Sequence, residues 1–439
     1  LKTRMIAIVL ACGCSSMTAQ VGGYLGPGVL SHGAGDIGKR GGEDVTLRYY
    51  ASAMGIYDNG LLPYALDNSG QLISVNGLWG TEVNFGAYGV HDFRHARLGL
   101  DYSGTYRYYN QNTFYNGTNQ QLALGYTYQK SRRLVFDMRQ IAGTISNATA
   151  FGGFAAIPDA IITPSSLLFD NRADFLQSSM DVNFLLSDRT TLTAGGQGFG
   201  IWRKAPGLIG MRGYELHGTM QRRISRRTTI GVQYSHMHFD FPKAFGESDI
   251  NGYAGLWTAQ LSRFWTARVT AGIYQAEVQG LQTVAVDPTI SALLGVTSTV
   301  QTFYQKRTFP QWNVGLDRRF QHATLSFSYT RGVTPGNGVY LTSRQESGNA
   351  SLSYQGSRKW SYSVNAGYTR LSGIAQNLNP YAAFTGGTVL TYAITNPFHV
   401  VAEYDARHLD IVDAVFRRTS SRASLGISFS PGDVPLAFH

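Results

Sequence analysis

The stretch Tyr214 to Phe241 constrains this chain most. Its two arms of about ten residues alternate apolar and polar side chains and are joined by the basic turn Ile224-Ser225-Arg226-Arg227. In the first arm Tyr214, Leu216 and Met220 share one parity, and Glu215, His217, Thr219 and Gln221 the other. In the second, Ile230, Val232 and Tyr234 alternate with Thr229, Gly231, Gln233 and Ser235. Successive side chains of a strand point to opposite faces, so this is a hairpin with one apolar and one polar face. Each arm is too short for a membrane helix but matches the roughly 9–11 residues of a tilted membrane-spanning strand.

The unit recurs from Val45 to the end. Alternating segments begin near Leu47, Val83, Leu98, Leu122, Leu134, Met180 and Leu192, continue through the opening hairpin, and resume near Gly255, Trp265, Trp312, Leu325, Ala350, Trp360, Leu390, Val400 and Ala423. That makes about eighteen strands (16–18), with eight short turns alternating with nine longer connections. Short turns on one side and long loops on the other are the organisation of an all-β, single transmembrane antiparallel up-and-down β-barrel. A soluble propeller is the rival, but it requires four-stranded units and no such asymmetry.

Composition agrees. Charged residues are 15% of the chain, with 51 glycines, 26 tyrosines and 23 phenylalanines; soluble domains carry about 25% charge. The two cysteines, Cys12 and Cys14, lie near the N-terminus, which excludes a disulfide framework or a thiolate metal site in the body of the chain. Residues 1–19 read as a signal peptide, with Lys2 and Arg4 ahead of an apolar run and cleavage after Ala19. Val9-Leu10-Ala11-Cys12 also has the form of a lipoprotein signal, so acylation of Cys12 stays open. Residues 20–44 form a glycine-rich lead-in, 45–430 the barrel and 431–439 a C-terminal tail.

Eighteen alternating strands, Ser-Arg-Arg turns and a signal-like start together resemble the bacterial outer-membrane porin-like β-barrels. The stretch Leu47 to Leu62, with its GIYDNG, is weakly similar to the first strand of barrels associated with exopolysaccharide export. The resemblance implies a cell outer-membrane location with both termini periplasmic. It also implies an encounter with the barrel-assembly machinery, which reads an aromatic-terminated final strand. Here Phe429 is followed by SPGDVPLAFH, so the signal lies either in that tail or in the strand ending at Phe429.

The formal charge of +10 sorts by position. The short turns hold fourteen basic residues against two acidic ones, whereas the polar strand parity is mixed. The basicity is a rim that meets water and headgroups, and without a stacking platform it is no nucleic-acid surface. The mixed wall supplies the pore-lining candidates: Arg97, Asp101, Arg107, Asp137, Arg139, Asp181, Glu215, His217, Arg268, Asp317, Glu403, Asp405 and Arg407. At the loop end, parity slips near Ser235–His236, which predicts a β-bulge turning His236, His238 and Asp240 into the lumen. That polar cluster is the one arrangement suited to metal or acid/base work. Polar lining is the plainer reading, and no catalytic residue, metal or cofactor is assigned. Two loops, 146–174 and 280–308, carry apolar segments that either fold inward or pack on each other. The expectation is a passive channel for hydrophilic solutes or for polysaccharide export, with a barrel enzyme or a closed structural barrel as the alternatives. The oligomeric state is left open.

Overall fold

The computed structural model describes residues 45–59, 77–110, 116–145, 172–204, 208–285, 298–336, 338–354, 359–374, 379–395, 397–411 and 417–430, with short pieces at 65–66, 72–73 and 434–436. Eighteen strands form the barrel. They are β1 (Val45–Asn59), β2 (Leu78–Asp92), β3 (Ala96–Tyr109), β4 (Gly117–Gln129), β5 (Leu134–Ile145) and β6 (Ala173–Ser187). Next come β7 (Thr190–Arg203), β8 (Met211–Arg223), β9 (Thr228–Phe241), β10 (Gly246–Gln260), β11 (Trp265–Ala285) and β12 (Ser298–Arg319). The last six are β13 (Ala323–Thr334), β14 (Ser343–Tyr354), β15 (Trp360–Gly373), β16 (Tyr381–Ala393), β17 (Phe398–Ile411) and β18 (Arg417–Phe429). Each pairs antiparallel with its sequence neighbours, and β18 returns to β1 in register from Ala51↔Phe429 to Asn59↔Ser421. Val434–Leu436 continues along the start of β1 through Val45↔Leu436, which covers the edge below Ala51. Around the described ring every strand thus has a neighbour on both sides, the condition for strands to cross lipid, while the upper end of β12 rises above its second neighbour.

The polarity is inside out. Large apolar side chains stand exposed on the outer face, among them Leu98, Leu100, Leu122, Leu124, Met180, Leu216, Val232, Leu425 and Ile427. The buried set includes Glu82, Asn84, Arg107, Gln177, Asp405, Ser420 and Arg422. A continuous apolar outer band of this extent is stable against lipid, not water. Aromatic pairs mark its two margins. On the turn side Trp360 packs on Tyr392 at 4.5 Å and Phe398 on Phe429 at 5.1 Å. There Arg318 also lies over Trp265 at 5.0 Å and over Phe320 at 4.3 Å. On the loop side the pairs are Tyr57–Trp79 at 4.8 Å, Tyr234–Tyr253 at 5.3 Å and Tyr368–Phe384 at 4.9 Å.

The β-bulge expected near His236 is not there. Strand β9 keeps an unbroken register with β8, from Arg212↔Asp240 to Arg223↔Thr229, and with β10, from Thr228↔Ala259 to Phe241↔Gly246. His236, His238 and Asp240 therefore keep the parity of Ile230, Val232 and Tyr234 and face outward, while buried Met237, Phe239 and Phe241 face inward. What changes along the strand is the surroundings on each side. Above the Tyr234–Tyr253 level the outside becomes polar, and the inside becomes an apolar packing layer. The hydropathy pattern shifts phase because both environments exchange, with no extra residue in the backbone.

That inner layer joins Ile141, Ile145, Phe175, Phe199, Ile201, Met211, Met237, Phe239, Phe241, Ile250, Ala276 and Val278, all at the loop end of β5–β11. The reading of 280–308 as a loop is also corrected. Strand β11 runs to Ala285 and β12 starts at Ser298, paired from Trp265↔Arg318 to Ala285↔Ser298. The apolar segments expected after Asp287 and after Pro158 lie outside the described residues. Because β13 pairs with β12 only as far as Trp312↔Arg331, the upper part of β12 keeps a single neighbour. Pro310, Lys306 and Arg307 sit on that one-sided stretch, and residues lacking an N–H or carrying charge discourage pairing with a foreign strand.

The two faces predict opposite responses to one substitution. Val232→Arg, at a position 64% exposed on the outer face, is expected to destabilise the lipid-embedded barrel by ~2–4 kcal/mol. Gln233→Arg, one residue on and facing inward, is expected to be close to neutral. Urea unfolding in lipid vesicles measures both, and equal effects would contradict this assignment of faces.

Candidate functional site: the lumen wall and its mouth

Thirteen polar residues expected on the inner wall all stand on the inward parity, but they do not form one site. They fall into separate networks, each built by side chains reaching over neighbouring strands.

The most buried network holds the barrel closed. Glu82 on β2 accepts hydrogen bonds from Arg107 Nε on β3, from Arg422 Nη2 on β18 and, at 2.8 Å, from Asn84 Nδ2. Arg422 Nε lies 3.7 Å from Asp58 Oδ1 on β1, and the Tyr109 hydroxyl donates to Asp58 Oδ2. Asn84 in turn accepts from Thr105 Oγ1 at 2.7 Å. Arg107, Glu82, Arg422 and Asp58 carry side-chain exposures of 3%, 2%, 5% and 0%. Removing an ion from water costs several kcal/mol, and burial on this scale is stable only with alternating signs and satisfied hydrogen bonds. Two arginines and two carboxylates supply the balance of sign, while Asp58 Oδ1, Arg107 Nη1 and Arg422 Nε stay buried without a hydrogen bond. Glu403 and Asp405 extend the acidic side of the patch, with Ser424 Oγ donating to Glu403 at 3.4 Å. Arg407 shares the inward parity of Asp405.

A second network lies on β4–β8. Asp137 accepts from Thr127 Oγ1 at 2.7 Å and from Asn183 Nδ2 at 2.8 Å, and Asn183 accepts from Thr193 at 2.7 Å. Glu215 accepts from Gln197, which itself accepts from Gln177 Nε2 at 2.6 Å. Asp181 meets His217 Nε2 at 3.0 Å, although a whole strand separates β6 from β8. Gly195 makes this possible. It sits in register with both residues, and a Cβ there would fall 1.8 Å from Asp181 Oδ1. Gly387 plays the same part beside Asp405, where a Cβ would come within 2.3 Å of Oδ1. Arg139 and Asp101 lie on the inward faces of β5 and β3.

Three of the thirteen residues form local pairs nearer the turn side. Arg97 forks onto Asp92, with Nη2 to Oδ2 at 3.0 Å, and Arg268 binds Asp317. The loop-end cluster is relocated to the outer collar. There Arg212 pairs with Asp240 at 2.6 Å, His238 Nδ1 meets Asp249 at 2.9 Å, and His236 Nδ1 meets Asn251 at 3.1 Å. The Tyr214 ring stacks on His238 at 5.3 Å. Among the described residues no group of three or more His, Cys, Asp or Glu is placed to hold a metal ion.

The mouth is crossed by a strap that sequence reasoning missed, the connection 335–342 between β13 and β14. Ile209 N–H, beyond β7, donates to Gly338 O at 3.0 Å, and Ser248 on β10 shares a hydrogen bond with Thr342 at 2.5 Å. Tyr340 packs instead on Leu371, Ala383 and Leu409 of β15–β17, and its hydroxyl donates to Asn379 O. The strap thus ties the β7–β10 wall to the β15–β17 wall. Two glycines allow it. Gly336 and Gly338 have φ of 78° and 94°, and a Cβ at Gly338 would lie 2.6 Å from Arg203 Nε. The available signal was Val339-Tyr340-Leu341, an apolar run in a loop right after Pro-Gly-Asn-Gly.

Asp58 and Arg422 were also missed. Asp58 reads as a loop residue in GIYDNG, and Arg422 and Glu82 are 340 positions apart. Only closure brings them together.

No protein-family model matches the chain, and no curated protein does. Solved structures resemble it along nearly all of its length but at low identity. OccK2 (OpdF) of Pseudomonas aeruginosa is 12% identical, covering 88% of this chain and 98% of that one with a TM-score of 0.44. A BenF-like porin from Pseudomonas fluorescens Pf-5 is 10% identical, with 90% and 99% covered and a TM-score of 0.43. OccAB4 of Acinetobacter baumannii is 11% identical, with 89% and 98% covered and a TM-score of 0.39. The similarity to exopolysaccharide-export barrels gains no support from these matches, and the barrel assignment rests on this chain's own strand register.

Arg422→Gln is expected to cost about 3–5 kcal/mol, because it leaves Glu82 and Asp58 buried with fewer partners. Adding Glu82→Gln is expected to recover part of that loss. Additive losses in a double-mutant cycle would mean the two groups are not coupled. Gly195→Ala is expected to separate His217 from Asp181, read by the loss of coupling between those two positions in the same kind of cycle.

Proposed function

We propose that this chain is a passive, non-enzymatic channel of a bacterial outer membrane, passing small hydrophilic solutes. The observation that carries the proposal is the closed inside-out barrel: lipid-compatible outside, polar and charged inside, with a strap across its mouth. A barrel of sixteen to eighteen strands encloses an aqueous lumen unless something obstructs it. The strap narrows one end, while the wall offers paired charges and amide groups rather than an apolar track. Selectivity in such a pore comes from width, hydrogen-bonding groups and charge placement. The inward residues other than buried Arg107 and Asp405 form the lining, and Glu403 beside the closure network marks its most acidic side. The collar of Arg212, His238, Asp240 and Lys306 faces the loop-side surface, and the basic turns face the periplasm with both termini.

A mouth crossed by a hydrogen-bonded strap favours small solutes over an extruded polymer, which needs a continuous wide path. Planar-bilayer recording tests the proposal. Discrete open steps are expected, and Tyr340→Ser with Leu341→Ser, which loosens the strap, is expected to raise single-channel conductance. Swelling of vesicles carrying the protein is expected with amino acids and monosaccharides and to decline with long oligosaccharides. Silence of both proteins across salts and voltages would overturn the channel reading. Passage of long oligosaccharides by the unmodified chain would favour polymer export instead.

A further inference from the structure

The outer face above β13–β15 carries an arrangement that the lumen does not use. Arg331, Arg344 and Glu346 stand on adjacent strands with outward parity, with Arg331 Nε 3.5 Å and Arg344 Nε 3.7 Å from Glu346 Oε1. Arg370 is in register with Glu346 from the other side. Two guanidiniums therefore flank one carboxylate, and Arg370 stands beside it on the next strand. The next outward acid, Asp410, is two strands away across Ala382. Elsewhere on the same collar Arg212–Asp240 and Lys306–Glu277, the latter at 2.5 Å, are matched one to one. Lys306 and the Tyr304 hydroxyl both donate to the Glu277 carboxylate, so that pair is self-contained. In the trio the Nε groups of Arg331, Arg344 and Arg370 are all shielded from solvent and have no hydrogen-bond acceptor. Arg318 Nε elsewhere on the outer face is in the same state, but among the described residues only here do three such groups lie on neighbouring strands around one acid. Three such donors on one outward patch suit a multivalent anion.

Just below the trio the outer surface is notched. Gly348 lies in register between Tyr329 and Tyr368, and Ala350 follows between Phe327 and Ala366. A Cβ at Gly348 would meet nothing closer than Tyr329 Cδ2 at 3.8 Å. The notch runs down the apolar face with aromatic walls, starting at the level of the Tyr368–Phe384 pair that marks the loop-side margin.

We propose that Arg331, Arg344 and Arg370 bind the phosphate of a lipid headgroup in the loop-side leaflet, with an acyl chain of the same molecule lying along the Gly348–Ala350 notch. The proposal rests on the outward band being lipid-facing, as the proposed function has it. A guanidinium presents a planar fork that matches phosphate oxygens, and the surplus of two positive charges selects a phosphorylated headgroup over a neutral one.

Native mass spectrometry of the full folded chain in micelles doped with diphosphorylated lipid A, or with its dephosphorylated form, tests this. The unmodified chain is expected to retain the phosphorylated lipid preferentially. Arg331→Gln with Arg370→Gln is expected to weaken retention by about tenfold or more. Arg212→Gln with Lys306→Gln, which removes the same charge from the same rim, is expected to leave retention unchanged. Gly348→Leu fills the notch and is expected to reduce retention while all three arginines remain. Equal loss in both charge variants would reduce the site to nonspecific attraction. Displacement by inorganic phosphate that is indifferent to Gly348→Leu would assign the site to a soluble anion; both results overturn the proposal. Heat-modifiable gel mobility reports insertion separately, so failure of the membrane reading is distinguishable from failure of this site.

Discussion

Backbone hydrogen bonding is the constraint from which the rest of this structure follows. Inside lipid an unpaired N–H or C=O costs several kcal/mol with no water to relieve it, so a wall of strands survives only if its last strand finds its first. The β18–β1 register from Ala51↔Phe429 to Asn59↔Ser421 meets that demand, and Val434–Leu436 carries it down to Val45. Arg422 then binds across the seam to Asp58 and Glu82, joining the two ends of the chain by side chains as well as backbone.

Closure fixes which face is which, and the face determines what each residue can do. Outward residues in the band need only be apolar, and Val, Leu, Met and Tyr serve almost interchangeably. Inward residues must balance charge and satisfy donors, which is why their partners are specific: Arg107 to Glu82, His217 to Asp181 across Gly195, Arg268 to Asp317. The glycine beneath the His217–Asp181 pair shows backbone and electrostatics acting together. A methyl group at position 195 would occupy the space of the carboxylate.

Near the loop end both requirements reverse. The outer collar lies beyond the aromatic margin and takes Arg212, His238, Asp249 and Lys306, while the interior fills with Phe175, Phe199, Met237 and Phe239. An exchange of environments leaves the same trace in a sequence as a one-residue insertion, namely a phase shift in the alternation. Periodicity alone therefore cannot tell a bulge from a membrane margin. The register does so for His236, His238 and Asp240, and moves them from the lumen to the collar.

The sequence by itself determined the barrel, the eighteen strands, the turn-and-loop asymmetry and the inward parity of the polar wall. These follow from a two-residue period and local turn chemistry, both written within a few tens of residues. What only the tertiary structure decided was which of those residues meet. Glu82 and Arg422, the strap's contacts with Ile209 and Ser248, and the three arginines around Glu346 all depend on cross-strand register, ring closure or the inward fold of a loop. None of these is encoded by spacing along the chain, because each joins strands whose separation in sequence says nothing of their separation in space.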